Sequence, residues 1–317
     1  MDKYLQELFD YCDIPKAGRR IISDDFDLKT QAIEGFSKDN DSFKYLNPIS
    51  LACRFFFDTK EIEYLYHFLP ISDAVNIIKS RTFYIGNQND MNDPLEKNFV
   101  WYKCRDYLKN FYKSQYVLEI FDSLKDYALE NMLDTYVWSF TTGKNTHLLH
   151  NYGQAALEIN ASLTYKKLNI NNHIFPAKDV LNVVLVPGVY PIKVCYDESV
   201  QNDYIFHLAD YFFELINKYD DVETCKYLIH VLTFYMLVFK GKSWSKENEY
   251  RFLIARPIIK NKKSYDCLFN NKPKIKGSIE PSNLVSILIN KEKMESVDFL
   301  KHVLMDNGFE DVTISKV

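Results

Sequence analysis

Glu247-Asn248-Glu249-Tyr250-Arg251-Phe252-Leu253-Ile254 carries two patterns at once. Read as extended from Lys246 to Ile254, the chain turns Tyr250, Phe252 and Ile254 to an apolar core and Glu247, Glu249 and Arg251 to the other face. The segment therefore predicts a sheet and, on that sheet, a polar place. Two meanings stay open for the charged face. One is a Glu249–Arg251 salt bridge on an exposed sheet surface, worth under about 1 kcal/mol. The other is a pair of carboxylates at the mouth of a cleft.

Short strands of the same kind recur on either side. Tyr136 to Thr141, Gln154 to Ile159, Val180 to Val186 and Val189 to Tyr196 are β-branched or aromatic and bounded by Gly, Pro or Asn, with Pro187 and Gly188 joining the last two as a hairpin. Glu63 to Leu69 reads as a strand buried on both faces, with His67 on the side of Leu65 and Leu69. Ser72 is suited to cap a helix that turns Ala74, Ile77 and Ile78 inward, and Thr82 to Ile85 is the next strand. Helical spacing fills 103–134, as two helices, and 203–239, as a buried pair. Tyr250 to Ala255, Leu284 to Ile289, a helix over 294–305 and Val312 to Ile314 close the chain. Without a regular βαβ rhythm, the expected class is α+β: a mixed, antiparallel-rich split sheet flanked by helices around a single core. Residues 58–317 form this core domain. Residues 1–57 form an N-terminal helical extension, where Leu5, Leu8, Phe9 and Cys12 share a helical face before Pro15, suited to a cap or a partner-docking arm.

Composition bounds the function classes. Of 317 residues, 47% are hydrophobic, which excludes a disordered chain. Twenty-three Tyr and twenty-three Phe against nine Gly predict tightly packed layers. A net charge of -4 gives no global field for nucleic acid, and the basic run from Lys260 to Lys276 reads as a solvated loop face with a local groove as its alternative. The cysteines at 12, 53, 104, 195, 225 and 267 lack paired spacing, so neither a disulfide framework nor a structural zinc is expected. The first residues lack a secretory apolar run, and the stretch from Ile229 to Phe239 is too short to span a bilayer. The expected location is cytoplasmic, with no membrane partner.

Three segments put polar groups among aromatics: Tyr66-His67, Asn89-Asp90-Met91-Asn92-Asp93-Pro94-Leu95-Glu96, and Trp244 to Arg251. His67 reads either as a hydrogen-bonded core residue or as part of a site. The second segment is a turn by composition, and Asp90, Asp93 and Glu96 also suit a hard cation.

In order along the chain, Tyr66-His67-Phe68, Asn92-Asp93-Pro94-Leu95-Glu96, Ser139-Phe140, Leu149-His150-Asn151-Tyr152-Gly153, Val189-Tyr190 with Val194-Cys195-Tyr196, and Lys242 through Arg251 resemble the bacterial domain of unknown function family 2971. The likeness covers about residues 62–317. It departs at Leu149-His150-Asn151-Tyr152, where the family commonly has a Trp before the His-Tyr pair. The layout is more remotely similar to ADP-ribosyltransferases, in which a first-strand His, a middle-strand Ser or Tyr and a late-strand Glu surround NAD.

That likeness implies an ADP-ribosyltransferase-like core that takes NAD as substrate and passes ADP-ribose to a protein, nucleic acid or small-molecule acceptor, with a role in bacterial conflict or phage defence. Glu249 is then the carboxylate beside the ribose, Glu247 the first acid of an ExE pair, and His67 a donor to an adenosine-ribose hydroxyl. Tyr66, Ser139, Phe140, Tyr152 and Arg251 contact the cofactor, with Ser139 shaping the nicotinamide ledge and Tyr152 or Phe140 stacking on its ring. No metal belongs to this reading. Two rivals are a metal-dependent nuclease using Asp90, Asp93, Glu96 and Glu247, and a non-catalytic nucleotide- or partner-binding module.

Overall fold

The computed structural model describes residues 3–12, 16, 19, 23, 62–90, 94–130, 134–144, 146–171, 188–256, 263–293 and 296–317. Its elements in order are α1 (Lys3–Cys12), β1 (Tyr64–Leu69), α2 (Ile71–Ser80), β2 (Thr82–Asn87), α3 (Pro94–Tyr107), α4 (Gln115–Glu130), β3 (Asp134–Thr141), α5 (Thr146–Asn151), β4 (Ala155–Asn160), α6 (Ala161–Asn171) and β5 (Gly188–Lys193). They continue with α7 (Glu198–Glu214), α8 (Val222–Val238), a 3-10 turn (Lys242–Glu247), β6 (Glu249–Arg256), β7 (Cys267–Phe269), β8 (Lys272–Ser278), β9 (Leu284–Ile289), α9 (Ser296–Asp306) and β10 (Thr313–Lys316). Helices and strands are mixed. The sheet is open and mostly antiparallel, with β9 and β10 as its parallel pair.

The sheet forks at β3. One edge of β3 pairs with β6 over its whole length, from Asp134 opposite Arg256 to Thr141 opposite Glu249. The other edge is shared between two strands. β1 meets it at Thr141, through Tyr66, and β2 meets it at Tyr136 and Val137. β1 leads on to β4, β9 and β10, while β2 leads on to β8 and β7. Between these two half-ladders, Trp138, Ser139 and Phe140 have no strand partner on that edge. A buried carbonyl there needs another donor, and the His67 ring supplies it, with Nδ1 lying 2.9 Å from the Ser139 carbonyl.

Both faces of the sheet are covered, so the expected single core is two. Alternation sends Phe83, Trp138, Phe140, Tyr250, Phe252 and Ile254 into one cluster, closed by α2, α6 and α9. On the opposite face Ile192 and Leu253 pack against α3, α4, α7 and α8. The helix α8 is apolar on all sides because it lies inside this bundle, with Ile229, Val231, Leu232 and Phe234 all buried. Asp221 fixes its start by accepting from the Thr224 N–H at 2.9 Å, and Asp197 does the same for α7.

The observed elements agree with the expected ones for most segments, and four differences have physical reasons. Ser72 does not cap α2: the chain enters the helix from Pro70, whose carbonyl takes the first turn's N–H groups, and the Ser72 hydroxyl turns to Asp73. The basic run is no loop where it is described. Lys272, Lys274 and Lys276 stand on β8, which adds to β2 while β7 pairs with it as a hairpin. Lys246 and Glu247 are not extended; they close the 3-10 turn, and Asn248 in the left-handed region (φ 44°) starts the strand at Glu249. The Glu249–Arg251 pair is buried rather than on an exposed surface. Of the extension, α1 is described and Leu5, Leu8 and Phe9 are buried. The expected strand over 180–186, with Pro187, and Asn92 and Asp93 lie outside the described residues.

Candidate active site

The face of the sheet that carries Glu249 and Arg251 bears α8 and its neighbours at one end and α5 at the other. Between them is a cavity of about 440 Å³ bordered by His67, Ser139, Tyr152, Lys240, Glu247 and Glu249 among others, within the size range of small-molecule sites. His67 and Phe140 belong by alternation to the opposite face, yet both border the cavity because β1 and β3 are unpaired there. The fork thus joins side chains from both faces of the sheet around one space.

At its base lies a buried ionic network. Arg251 grips Glu249 with two parallel bonds, Nε to Oε1 at 2.8 Å and Nη2 to Oε2 at 2.9 Å, while Nη1 donates to the Leu237 carbonyl at 2.8 Å. Lys240 Nζ bonds Glu249 Oε2 at 3.2 Å and Glu247 Oε2 at 2.6 Å. The remaining Glu247 oxygen accepts from the Tyr152 hydroxyl. Two cations therefore balance two carboxylates away from bulk water, which is the condition for burying any of them.

Burial alone would raise the Glu249 carboxyl, but the charge and hydrogen bonds of Arg251, then Lys240 and the Ser139 hydroxyl, outweigh it and hold it down at about 2. Glu249 is an anion throughout the working range and has no proton to give. Arg251 takes two of its four lone-pair positions and Lys240 a third. A ligand hydroxyl therefore has at most the fourth to reach, beside Ser139. Burial also raises the Tyr152 hydroxyl, assisted by its bond to Glu247, to about 12.

Burial holds the His67 imidazole below its ordinary value, against the opposing pull of the Ser139 carbonyl. A carbonyl only accepts, so neutral His67 carries its proton on Nδ1 and leaves Nε2 as an acceptor. Neutral His67 therefore has no proton on Nε2 for the donation to a ribose hydroxyl that was expected of it. Phe83, Trp138 and Phe140 pack on the ring with centroids 5.6–6.2 Å away and fix its plane.

The local backbone explains how these groups meet. A left-handed residue costs Asn less than most side chains, and Asn248 uses it to turn Glu247 and Glu249 toward the same ammonium, with its amide anchored on the Thr142 hydroxyl. Lys240 follows the end of α8, and its backbone is held by the Cys195 carbonyl and the Gln201 side chain. Gly153 lies so close to β1 that a Cβ there would stand 2.2 Å from the Leu69 carbonyl carbon. That contact sets Tyr152 against the site.

All the expected site residues, Tyr66, His67, Ser139, Phe140, Tyr152, Glu247, Glu249 and Arg251, border this cavity. Two of them are occupied in other ways. The guanidinium of Arg251 holds Glu249 instead of reaching a ligand, and the Tyr66 hydroxyl donates to the buried Glu158 at 2.5 Å. The sequence reading missed Lys240, whose signal is a cation directly after a long apolar helix. It also missed Trp244 as a lining residue; its half-exposed ring stands 5.3 Å from the Lys240 ammonium.

Asp90, a ligand in the nuclease reading, faces Lys272 and Lys274 at 3.8 and 4.0 Å. Asp93 lies outside the described residues and the Glu96 side chain is not described. Among the described residues no group of three His, Cys, Asp or Glu is arranged to hold a metal, and no helix is long and apolar enough to cross a membrane.

Compared with known proteins, the chain matches no protein-family model, no curated protein and no solved structure.

Proposed function

We propose that this protein is an ADP-ribosyltransferase-like enzyme that cleaves NAD at the nicotinamide–ribose bond and passes ADP-ribose to an acceptor. One observation carries the reading: His67, Ser139 and Glu249, far apart in sequence, border one cavity that opens where β1 leaves β3. Nicotinamide leaves with the electron pair of the broken C–N bond, and positive charge develops on the ribose. That oxocarbenium-like state needs a fixed anion beside it. Glu249, ionised and rigidly held, meets this requirement without transferring a proton. Glu247 stands next to it between Lys240 and Tyr152, and there it accepts the proton of the incoming nucleophile. His67 Nε2 accepts from an adenosine-ribose hydroxyl, and half-exposed Tyr152 gives the departing ring an aromatic wall.

The test is nicotinamide release from NAD by the full-length protein, with cell extract as the source of acceptor. Wild type is expected to turn over. Glu249→Gln should lower the rate by roughly 10²-fold or more, and Glu247→Gln should reduce transfer more than hydrolysis. A folded wild-type protein that leaves NAD intact with every extract overturns the reading. A non-catalytic nucleotide-binding module is favoured by one fact, that Arg251 and Lys240 already make three bonds to the Glu249 carboxylate. It is the correct account if NAD binds in calorimetry and is recovered uncleaved.

A further inference from the structure

We infer that the outer face of β2, β8 and β7 binds single-stranded nucleic acid. This face lies on the branch of the fork away from β1 and is independent of the NAD reading. Pairing puts Tyr84 opposite Lys276, Gly86 opposite Lys274, and Phe269 opposite Lys272. Their alternation partners Phe83, Ile85 and Ile275 point into the core, so these residues point out. Tyr84 and Phe269 stack on each other across the hairpin, with ring centroids 5.2 Å apart and planes within 19°, yet each remains about half exposed.

Apolar rings left in water on a short edge hairpin have an unused stacking surface, and three lysines stand on the same face. Gly86 leaves room for one of them: the Lys274 ammonium lies 3.0 Å from where a Cβ would be. Against these three ammoniums stands Asp90, which lies 3.8–4.0 Å from Lys272 and Lys274. The nearby Asp266 is already held by Arg256 at 2.7 Å and by the Lys276 backbone N–H at 2.7 Å. The local charge is therefore positive on a chain whose net charge is -4. Paired rings beside cations suit a strand whose bases are free to stack while its phosphates meet ammonium groups. A duplex offers the phosphates but hides its bases, and an acidic peptide offers charge without rings.

The experiment is fluorescence anisotropy of the full-length protein with labelled oligo(dT), oligo(rU) and a duplex of equal length. Either single strand is expected to bind more tightly than the duplex, and the two arms tell DNA from RNA. With Lys272 and Lys276 exposed and Lys274 largely covered, two engaged lysines should give a logarithmic salt slope of about -1.4, a loss of roughly 7-fold between about 50 and 200 mM salt. Tyr84→Ala with Phe269→Ala should weaken binding at least about tenfold, and Lys272→Glu with Lys276→Glu should abolish it. Both doubles alter exposed side chains, so their melting temperatures and NAD turnover should match wild type. Equal or tighter duplex binding overturns the inference, as does no binding of either strand at low salt. So does binding that survives loss of both rings but not of the lysines, which would mark a simple polyanion surface.

Discussion

Lys240 is the residue on which the two carboxylates of the site depend. Removing either cation leaves two buried acids with one partner, and an uncompensated buried charge costs several kcal/mol. Arg251→Met should therefore cost about 3–5 kcal/mol in urea unfolding. Adding Glu249→Leu to that variant should recover most of the loss, since a buried ion pair exchanged for apolar side chains is often near neutral. The same pair predicts an acid transition. The folded Glu249 carboxyl at about 2 lies below its ordinary 4.5, so its stabilisation is complete above 4.5 and disappears as pH falls toward 2. The amount is about 3 kcal/mol, and Glu249→Gln should flatten that part of the pH–stability curve. His67 acts earlier: its folded value is lowered, so stability starts to fall below about pH 6.5. His67→Gln, which keeps a donor for the Ser139 carbonyl, should shrink that upper limb and leave the part due to His230, whose value burial also lowers.

Among the elements, two turns set the geometry of the site. Asn248 joins the 3-10 turn to β6 with φ 44°. Asn248→Gly should be tolerated, while Asn248→Val should cost about 1–2 kcal/mol from the left-handed conformation and lower turnover by displacing Glu247. Gly153 joins α5 to β4 against the end of β1. Gly153→Ala forces a Cβ into the Leu69 backbone, so a loss of about 2 kcal/mol or more is expected in thermal melts, together with a weakened Tyr152–Glu247 bond. Element identity was legible in the sequence because it is local. Tyr250, Phe252 and Ile254 showed their core face by alternation, and the apolar periodicity of α7 and α8 showed a buried pair. The stretch from Lys246 to Glu247 misled for an equally local reason. Its polar residues continue the alternation of β6, and whether Asn248 takes the left-handed conformation depends on Thr142 and Tyr196, which contact the turn from other elements.

At the scale of the molecule, the fork in the sheet makes a cavity where a continuous ladder would leave none. The cavity sits between α8 and α5, so a ligand there bridges parts of the chain that otherwise share few contacts. NAD at about one hundred times its Kd should raise the unfolding free energy by about 2.7 kcal/mol. Hydrogen exchange should slow in α5 and in the turn from Lys242 to Glu247, and no slowing in either would mean that the ligand binds elsewhere.

Amino-acid order by itself determined most of the strands and helices, the buried sides of β1 and β6, and the choice of His67, Glu247 and Glu249 as candidates, because each rests on spacing within one element or on side-chain chemistry; Ser139 joined them only through the family resemblance. Tertiary structure alone decided that β1 and β2 share one edge of β3, that His67 fills the interval between them, and that Lys240 is the common counter-ion of two acids. Those facts arise from pairings between segments distant in the chain, and no periodicity within a segment encodes which carbonyl or carboxylate another segment will bring to it.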